Sequence, residues 1–104
     1  MKGKLEYNFA KEFTEEPGPR FRYLGKKSGE EFREDVLKPM LKEYDFIDID
    51  GTDITSSFNP SFLSEAFGVL AEELGGSEEL LKRIRLYSRK NLGLEEKFKE
   101  YIDI

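Results

Sequence analysis

The sequence predicts a single α/β domain built on a mixed sheet of about four strands, in the order β-β-α-β-α-β-α. Two observations support this fold class. Short runs in which apolar and polar residues alternate, at residues 5–9 and 83–87, are typical of strands. Apolar residues at helical spacing follow Ser28 and Asn59, and both residue types are common at the N-cap of a helix. A chain of 104 residues is the size of one small domain, so residues 1–104 are expected to fold as a unit.

The composition excludes several kinds of chemistry. The chain has no Cys and no His, which rules out a thiolate nucleophile, a disulfide, an imidazole base and a zinc site built from these residues. A net charge of −5 argues against nucleic acid as the main partner. Charged residues follow Met1 directly, and the longest apolar run, residues 66–71, is too short to cross a bilayer. We therefore expect a cytoplasmic domain with no signal peptide, membrane segment, metal or cofactor.

The first half of the chain predicts two strands and a helix. The alternation at residues 5–9 predicts a half-buried strand, and a shorter alternation at residues 21–24 predicts a second strand paired with it as a hairpin. Ser28 and Glu31 have the spacing of a capping box, which places a helix start at this point. Pro39 lacks a backbone N–H, so it is expected to kink or restart that helix.

The second half predicts the central strand and the helix that follows it. Residues 44–50 give the strongest strand signal in the chain. Asn59 as N-cap and Pro60 as first helical residue indicate a helix start, and Gly75-Gly76 is expected to end this helix. A helical turn, a strand and a final amphipathic helix are then predicted at residues 77–81, 83–87 and 94–102.

One short motif suggests an enzyme. The segment Asp48-Ile49-Asp50-Gly51-Thr52 resembles the first motif of haloacid-dehalogenase-type phosphohydrolases, which would make Asp48 the nucleophile and Asp50 the acid/base group beside Mg²⁺. Only 52 residues follow Thr52, and the paired acidic site found later in that family is missing. The other interpretation is a buried strand whose two aspartates point away from the core. A non-enzymatic protein without catalytic residues is therefore favoured, and the Mg²⁺-dependent phosphohydrolase is the alternative.

Three segments together resemble a known family. They are residues 18–20 with 28–33 and 37–39, the strand residues 47–51, and the helix residues 61–70. In this order they resemble the bacterial STAS-like domain family of unknown function, which is distantly similar to the STAS domains of sulfate transporters and anti-sigma-factor antagonists. The resemblance runs from about Gly18 to Tyr87 and implies a single STAS-like domain.

The resemblance implies a regulatory role in signalling through protein–protein interaction. In anti-sigma-factor antagonists an Asp-Ser-Ser-Gly segment opens the helix after the central strand, and a partner kinase of the histidine-kinase-like ATPase fold phosphorylates its second Ser. The matching positions here hold Asn59, Pro60, Ser61 and Phe62, so Ser61 is the candidate phosphorylation site. The implied partner-binding residues lie in the preceding loop and on the first turns of the helix: Thr55, Ser56, Ser57, Phe58, Asn59, Phe62 and Glu65.

Several of these residues have two interpretations. Ser61 is either a regulatory site or a small polar residue that suits the first turn of a helix. Phe58 and Phe62 are either exposed anchors for a partner or buried residues at the helix entry. The basic run at residues 82–90 is either a patch for an acidic partner or the solvated side of a strand. A nucleotide site has no Gly-rich phosphate-binding loop to support it.

Overall fold

In the part of the chain that the structure describes, the sheet has three strands, and all of them are parallel. The computed structural model describes residues 2–103, so Met1 and Ile104, the two ends of the predicted domain, lie outside the described residues. The strands are β1 (Lys2–Asn8), β2 (Tyr44–Asp50) and β3 (Ile84–Tyr87), in the spatial order β1-β2-β3. Residue Ile47 of the central strand faces Leu5 on one side and Ile84 on the other. The predicted central position of β2 is confirmed, whereas the predicted four-stranded mixed sheet is wrong.

Within the described residues, five helices and one 3₁₀ turn connect and cover these strands. Helix α2 consists of three consecutive segments: an α-helical segment, a π-helical segment and a second α-helical segment. Helix α3 has the same organisation. The bounds are α1 Phe9–Glu12, the 3₁₀ turn Arg22–Leu24, α2 Gly29–Glu31 with Phe32–Leu37 and Lys38–Glu43, α3 Pro60–Leu63 with Ser64–Gly68 and Val69–Leu74, α4 Ser77–Leu81, and α5 Leu94–Ile102. No helix in residues 2–103 is long and apolar enough to cross a membrane.

The predicted hairpin partner of β1 is not a strand. Residues 21–24 contain only the 3₁₀ turn, and the Phe21 ring stacks on Tyr23 with ring centroids 5.5 Å apart. The backbone just before this turn is engaged elsewhere, because the carbonyls of Pro19 and Arg20 accept hydrogen bonds from the N–H groups of Gly29 and Glu30, at 2.9 and 3.0 Å. This segment therefore caps the start of α2, and a parallel sheet replaces the expected mixed one.

The first strand also ends earlier than its apolar alternation suggests. Phe9 belongs to α1, because the Asn8 side chain accepts a hydrogen bond from the N–H of Lys11 at 3.1 Å and caps a helical turn there. This turn places the Phe9 ring in the core, where it is fully buried. The alternation of apolar residues is the same on both sides of Asn8, so only the cap marks the boundary.

The predicted starts of both long helices are confirmed. The Ser28 hydroxyl accepts from the N–H of Glu31 at 3.0 Å, and the Glu31 carboxylate accepts from the N–H of Lys27 at the same distance. In α3, the Asn59 side chain accepts from the N–H of Phe62 at 2.7 Å. The helix also restarts near Pro39, as expected. The π-helical segment ends at Leu37, and a new α-helical segment begins at Lys38, one residue before Pro39.

The core is rich in phenylalanine and lies on one face of the sheet. Because successive strands are added in one direction, right-handed crossovers place α2 and α3 on the same side. The strand residues that face these helices are buried, as are six Phe side chains from the helices and loops: Phe9, Phe32, Phe58, Phe62, Phe67 and Phe98. The other face of the sheet is lined by charged residues, among them Lys4, Glu6, Asp48 and Arg85. Aromatic side chains therefore supply much of the volume of this core.

Candidate functional site

The candidate site lies at the carboxyl edge of the sheet, in the loop that joins β2 to α3. The loop begins at Gly51, whose N–H donates to the carbonyl of Tyr87 at 2.7 Å. The Thr52 hydroxyl then accepts from the N–H of Arg89 at 2.9 Å, and the N–H of Thr55 donates to the carbonyl of Glu15 at 2.8 Å. Hydrogen bonds therefore connect the loop to two other parts of the chain, the end of β3 with the residues after it and the segment around Glu15.

The end of the loop is fastened by Asn59, which has two roles. Its side-chain oxygen caps α3, and its side-chain amide donates to the carbonyl of Gly18 at 3.1 Å. Ser56 and Ser57 lie between this anchor and Thr55, and both are exposed. These contacts hold the polar loop in one place while leaving its two serines accessible from solvent.

Ser61 is exposed at the second position of α3. The N–H of Phe62 donates to the Asn59 side chain, the N–H of Leu63 donates to the Asn59 carbonyl at 3.2 Å, and Pro60 has no N–H. Within the described residues, the N–H of Ser61 is thus the one donor of the first turn without an acceptor. The Ser61 hydroxyl lies beside this free donor, at the positive end of the helix dipole.

Two aromatic members of the predicted binding surface are not on the surface. Phe58 is 1% exposed and Phe62 is fully buried. Their ring centroids lie 5.7 Å apart, and each packs against Phe9, at 4.8 and 5.8 Å. The interpretation of these residues as exposed anchors is wrong, because α1 brings Phe9 between β1 and the start of α3.

The Glu65 side chain is also mostly buried. Its carboxylate, with 12% of the side chain exposed, accepts a hydrogen bond from Arg33 at 2.8 Å, and the same guanidinium nitrogen also donates to the Glu65 carbonyl. The Arg33 guanidinium donates to Glu34 at 2.9 Å as well. Burial lowers the pKa of Arg33, but these hydrogen bonds outweigh it and hold the pKa above its ordinary value. Glu65 is thus one half of an internal ion pair between α2 and α3.

Sequence reasoning missed Arg33, although a signal was present. Arg33 precedes Leu37 and Leu41 at intervals of four residues, and these two leucines are buried on the core side of α2. A charged residue on an apolar helical stripe usually needs a buried partner of opposite charge. The partner itself, 32 residues away, could not be identified from spacing.

The two aspartates of the phosphohydrolase-like motif are held by cations. Asp48 is 6% exposed on the charged face of the sheet, with the ammonium of Lys4 at 3.3 Å and the guanidinium of Arg85 at 3.8 Å from its carboxylate. Asp50 accepts from Arg89 and from the N–H of Thr52, both at 2.9 Å. Within the described residues, no group of three or more acidic side chains is placed to hold a metal ion. The site gives no support to the phosphohydrolase alternative.

Asp50 also makes the stability of this edge depend on pH. Burial raises the pKa of Asp50, but the hydrogen bonds from Thr52 and the attraction of Arg89 hold it below its ordinary value. A lowered pKa stabilises the fold above the unfolded value of about 3.9, and this contribution is lost as the pH falls through the folded value. We expect the wild type to resist urea better than Asp50→Asn at neutral pH, and this advantage to shrink from about pH 4 downward. Equal differences in urea midpoint at neutral and acidic pH would contradict this account of Asp50.

The basic run after α4 is mostly used inside the domain. The Arg83 guanidinium donates to the carbonyls of Leu41, Tyr44 and Asp45, at 2.7–3.0 Å. Arg85 donates to Glu95 at 3.0 Å, and Arg89 pairs with Asp50. The interpretation of the run as the solvated side of a strand is thus supported for Arg85, which lies in β3. Arg83 and Arg89 lie just outside the strand and are used in contacts within the domain.

These features define a small α/β domain in which the accessible polar groups of the candidate site lie on a fastened loop and a helix start at the carboxyl edge of a parallel sheet. The family model described as a STAS-like domain of unknown function (DUF4325) matches residues 28–93. The match covers more than half of the 104 residues, from the start of α2 to the loop after β3, and the chain belongs to this family. The predicted family is confirmed. No curated protein and no solved structure matches the chain.

Proposed function

We propose that this chain is a non-enzymatic regulatory module that binds a protein partner through the start of α3 and releases it when Ser61 is phosphorylated. The binding surface consists of the accessible residues at this end of the domain, and we call it the α3-start surface: Thr55, Ser56, Ser57, Asn59 and Ser61. The observation that carries the proposal is the exposed Ser61 hydroxyl beside the free N–H of the first helical turn. Membership of the STAS-like family supports a regulatory role.

The helix start suits a residue that is switched by phosphate. A phosphoserine adds roughly −1.5 to −2 charges, which the positive end of a helix dipole favours. The fold therefore tolerates the modified residue, while the surface presented to a partner becomes negative at this position. A partner surface that fits the neutral hydroxyl would have to desolvate the new charge, and binding would weaken.

The proposed partner is a protein of the histidine-kinase-like ATPase fold. This choice follows the resemblance to anti-sigma-factor antagonists, in which such a partner both binds and phosphorylates this helix start. The departures from their motif lie at positions that the fold uses for itself. Asn59 caps the helix in place of the usual acid, and Phe62 enters the core in place of the usual Gly. Neither replacement removes the exposed hydroxyl from Ser61.

The proposal predicts that Ser61→Asp separates folding from binding. A carboxylate at this helix start should leave the melting temperature unchanged or higher, because it typically contributes about 0.3–1 kcal/mol through the dipole. The same change should reduce retention of the ATPase-fold protein by about a hundredfold when the immobilised domain is exposed to a lysate of its source cells. Ser61→Ala should retain the partner as the wild type does.

A matched control is available in α4. Ser77 is the first residue of that helix, so Ser77→Asp introduces the same charge in a similar position away from the α3-start surface. We expect Ser77→Asp to retain the partner at the wild-type level. Equal retention by Ser61→Asp and wild type would overturn the switch, and equal loss in both Asp variants would show that the effect reflects net charge rather than Ser61.

A further inference from the structure

A small cavity of about 150 Å³ lies beside the α3-start surface, between the loop that follows β2 and the loop that follows β3. Its floor is formed by Gly51, Phe58 and Leu94, which are buried. Any larger residue at position 51 would crowd the side chains of Phe58 and Leu94, since a Cβ atom there would lie 3.0 Å from the Phe58 ring and 3.2 Å from Leu94. The rim consists of two serines, two lysines and an asparagine: Ser56, Ser57, Lys90, Asn91 and Lys97.

The charge of this cavity is unusual for an acidic protein. The chain has 22 acidic residues, yet none lines the cavity, while two lysines do. Within the described residues, neither lysine has a carboxylate partner. The Lys97 ammonium donates to the carbonyl of Phe58 at 2.6 Å, which uses one of its three N–H groups and neutralises none of its charge. The rim is therefore electropositive and has N–H donors to spare.

Hydrogen bonds within the rim also fix the positions of Lys90 and Asn91. The buried Ser88 hydroxyl accepts from the N–H groups of Lys90 and Asn91, at 3.1 and 2.9 Å, and so fixes the backbone of both residues. The Asn91 side-chain oxygen accepts from the N–H of Gly93 at 3.2 Å, which leaves its amide NH₂ to donate. In the described part of the chain, the hydroxyls of Ser56 and Ser57 have no hydrogen-bond partner.

We propose that this cavity binds a phosphate group, either as the free ion or as the phosphoryl end of a small phosphorylated compound. The two ammonium groups, two hydroxyls and one amide of the rim are donors of the kind that bind oxyanions, and hydrogen bonds from charged donors are the strong ones. The volume is below the roughly 300–1,000 Å³ of sites that enclose drug-sized ligands, so the cavity takes the phosphate while the remainder of a larger ligand stays in solvent. Ligands of α/β proteins commonly bind at the carboxyl ends of the strands. The inference depends on neither a protein partner nor phosphorylation of Ser61.

The test is a titration of the full chain with inorganic phosphate at constant ionic strength, followed through the backbone amide signals in ¹⁵N NMR spectra. We expect saturating shifts at Ser57, Lys90 and Asn91, with a Kd on the order of millimolar. Lys90→Gln should weaken binding about tenfold, because it removes one charged donor. Lys99→Gln is the matched control: Lys99 is exposed, lies on α5 and does not line the cavity, so this variant should bind as the wild type does.

A second titration, with O-phosphoserine, identifies the form of the ligand. Shifts at the same three amides would assign the cavity to phosphoryl groups in general, and shifts with inorganic phosphate alone would assign it to the free ion. Linear shifts without saturation, the same shifts on addition of chloride, or equal weakening by Lys99→Gln would overturn the proposal. Lys90 has an exposed side chain, and the dispersion of the spectrum reports directly whether the Lys90→Gln protein is folded.

Discussion

The Phe62→Ala protein is expected to be less stable than the wild type by about 3–5 kcal/mol, the usual cost of emptying a buried phenylalanine site. Phe62 is fully buried, and its ring lies 5.7–6.1 Å from those of Phe9, Phe32 and Phe58. A domain of this size is typically stable by only about 5–15 kcal/mol, so the variant should lose much of its resistance to urea. The measurement is the urea midpoint with its slope, followed by circular dichroism.

Tyr23→Ala is the control for Phe62→Ala. Tyr23 is also aromatic, but 81% of it is exposed, so its removal should change the stability by no more than about 0.5 kcal/mol. If both variants shifted the urea midpoint equally, Phe62 would not be a core residue. Loss of partner binding by Phe62→Ala would then report a surface contact, as the sequence-based hypothesis of an exposed anchor requires.

The second large effect is expected at the ion pair between α2 and α3. Arg33 is only 8% exposed, so Glu65→Ala leaves a buried guanidinium without its main partner. We expect a loss of about 3 kcal/mol, the lower end of the range for a broken buried pair, because Glu34 and the backbone carbonyl of residue 65 still accept hydrogen bonds from Arg33. The free energy of unfolding from urea titrations gives this value.

A double variant separates the charge from the packing. Arg33→Met with Glu65→Leu removes both charges and keeps most of the volume, so it should recover much of the stability lost in Glu65→Ala. The exposed pair of Lys82 and Glu79, 3.0 Å apart, is the comparison, since Glu79→Ala should cost less than about 1 kcal/mol. A Glu65→Ala protein as stable as the Glu79→Ala protein would show that the buried pair contributes little to the fold.

The elements that could be predicted from the sequence are those specified by nearby residues. The start of α3 follows from the chemistry of Asn59 and Pro60 alone, and the cap is formed as expected. The burial pattern of β2 follows from its own residues, so its central position could also be predicted. The prediction of a strand at residues 21–24 failed because contacts with another segment determine the conformation of these residues. Two alternating aromatics fit a strand or a turn equally well, and the contacts with the start of α2 decide between them.

The candidate site shows the same division. The exposure of Ser61 follows from its place on the first turn of a helix, whereas the burial of Phe62 depends on Phe9, which is distant in sequence. The pairing of Glu65 with Arg33 and the meeting of Ser57 with Lys90 and Lys97 join segments more than 30 residues apart. Local spacing contains no information about such contacts, so the sequence identified the helix start but not the residues that surround it.

The most direct test of the proposed switch compares one protein in two states. The domain is phosphorylated on Ser61, with the position verified by mass spectrometry, and its affinity for the captured ATPase-fold partner is measured by calorimetry beside that of the unmodified domain. The account predicts that the unmodified domain binds and that the phosphorylated domain binds at least about a hundredfold more weakly, with an unchanged or higher melting temperature. Equal affinity of the two forms would contradict it.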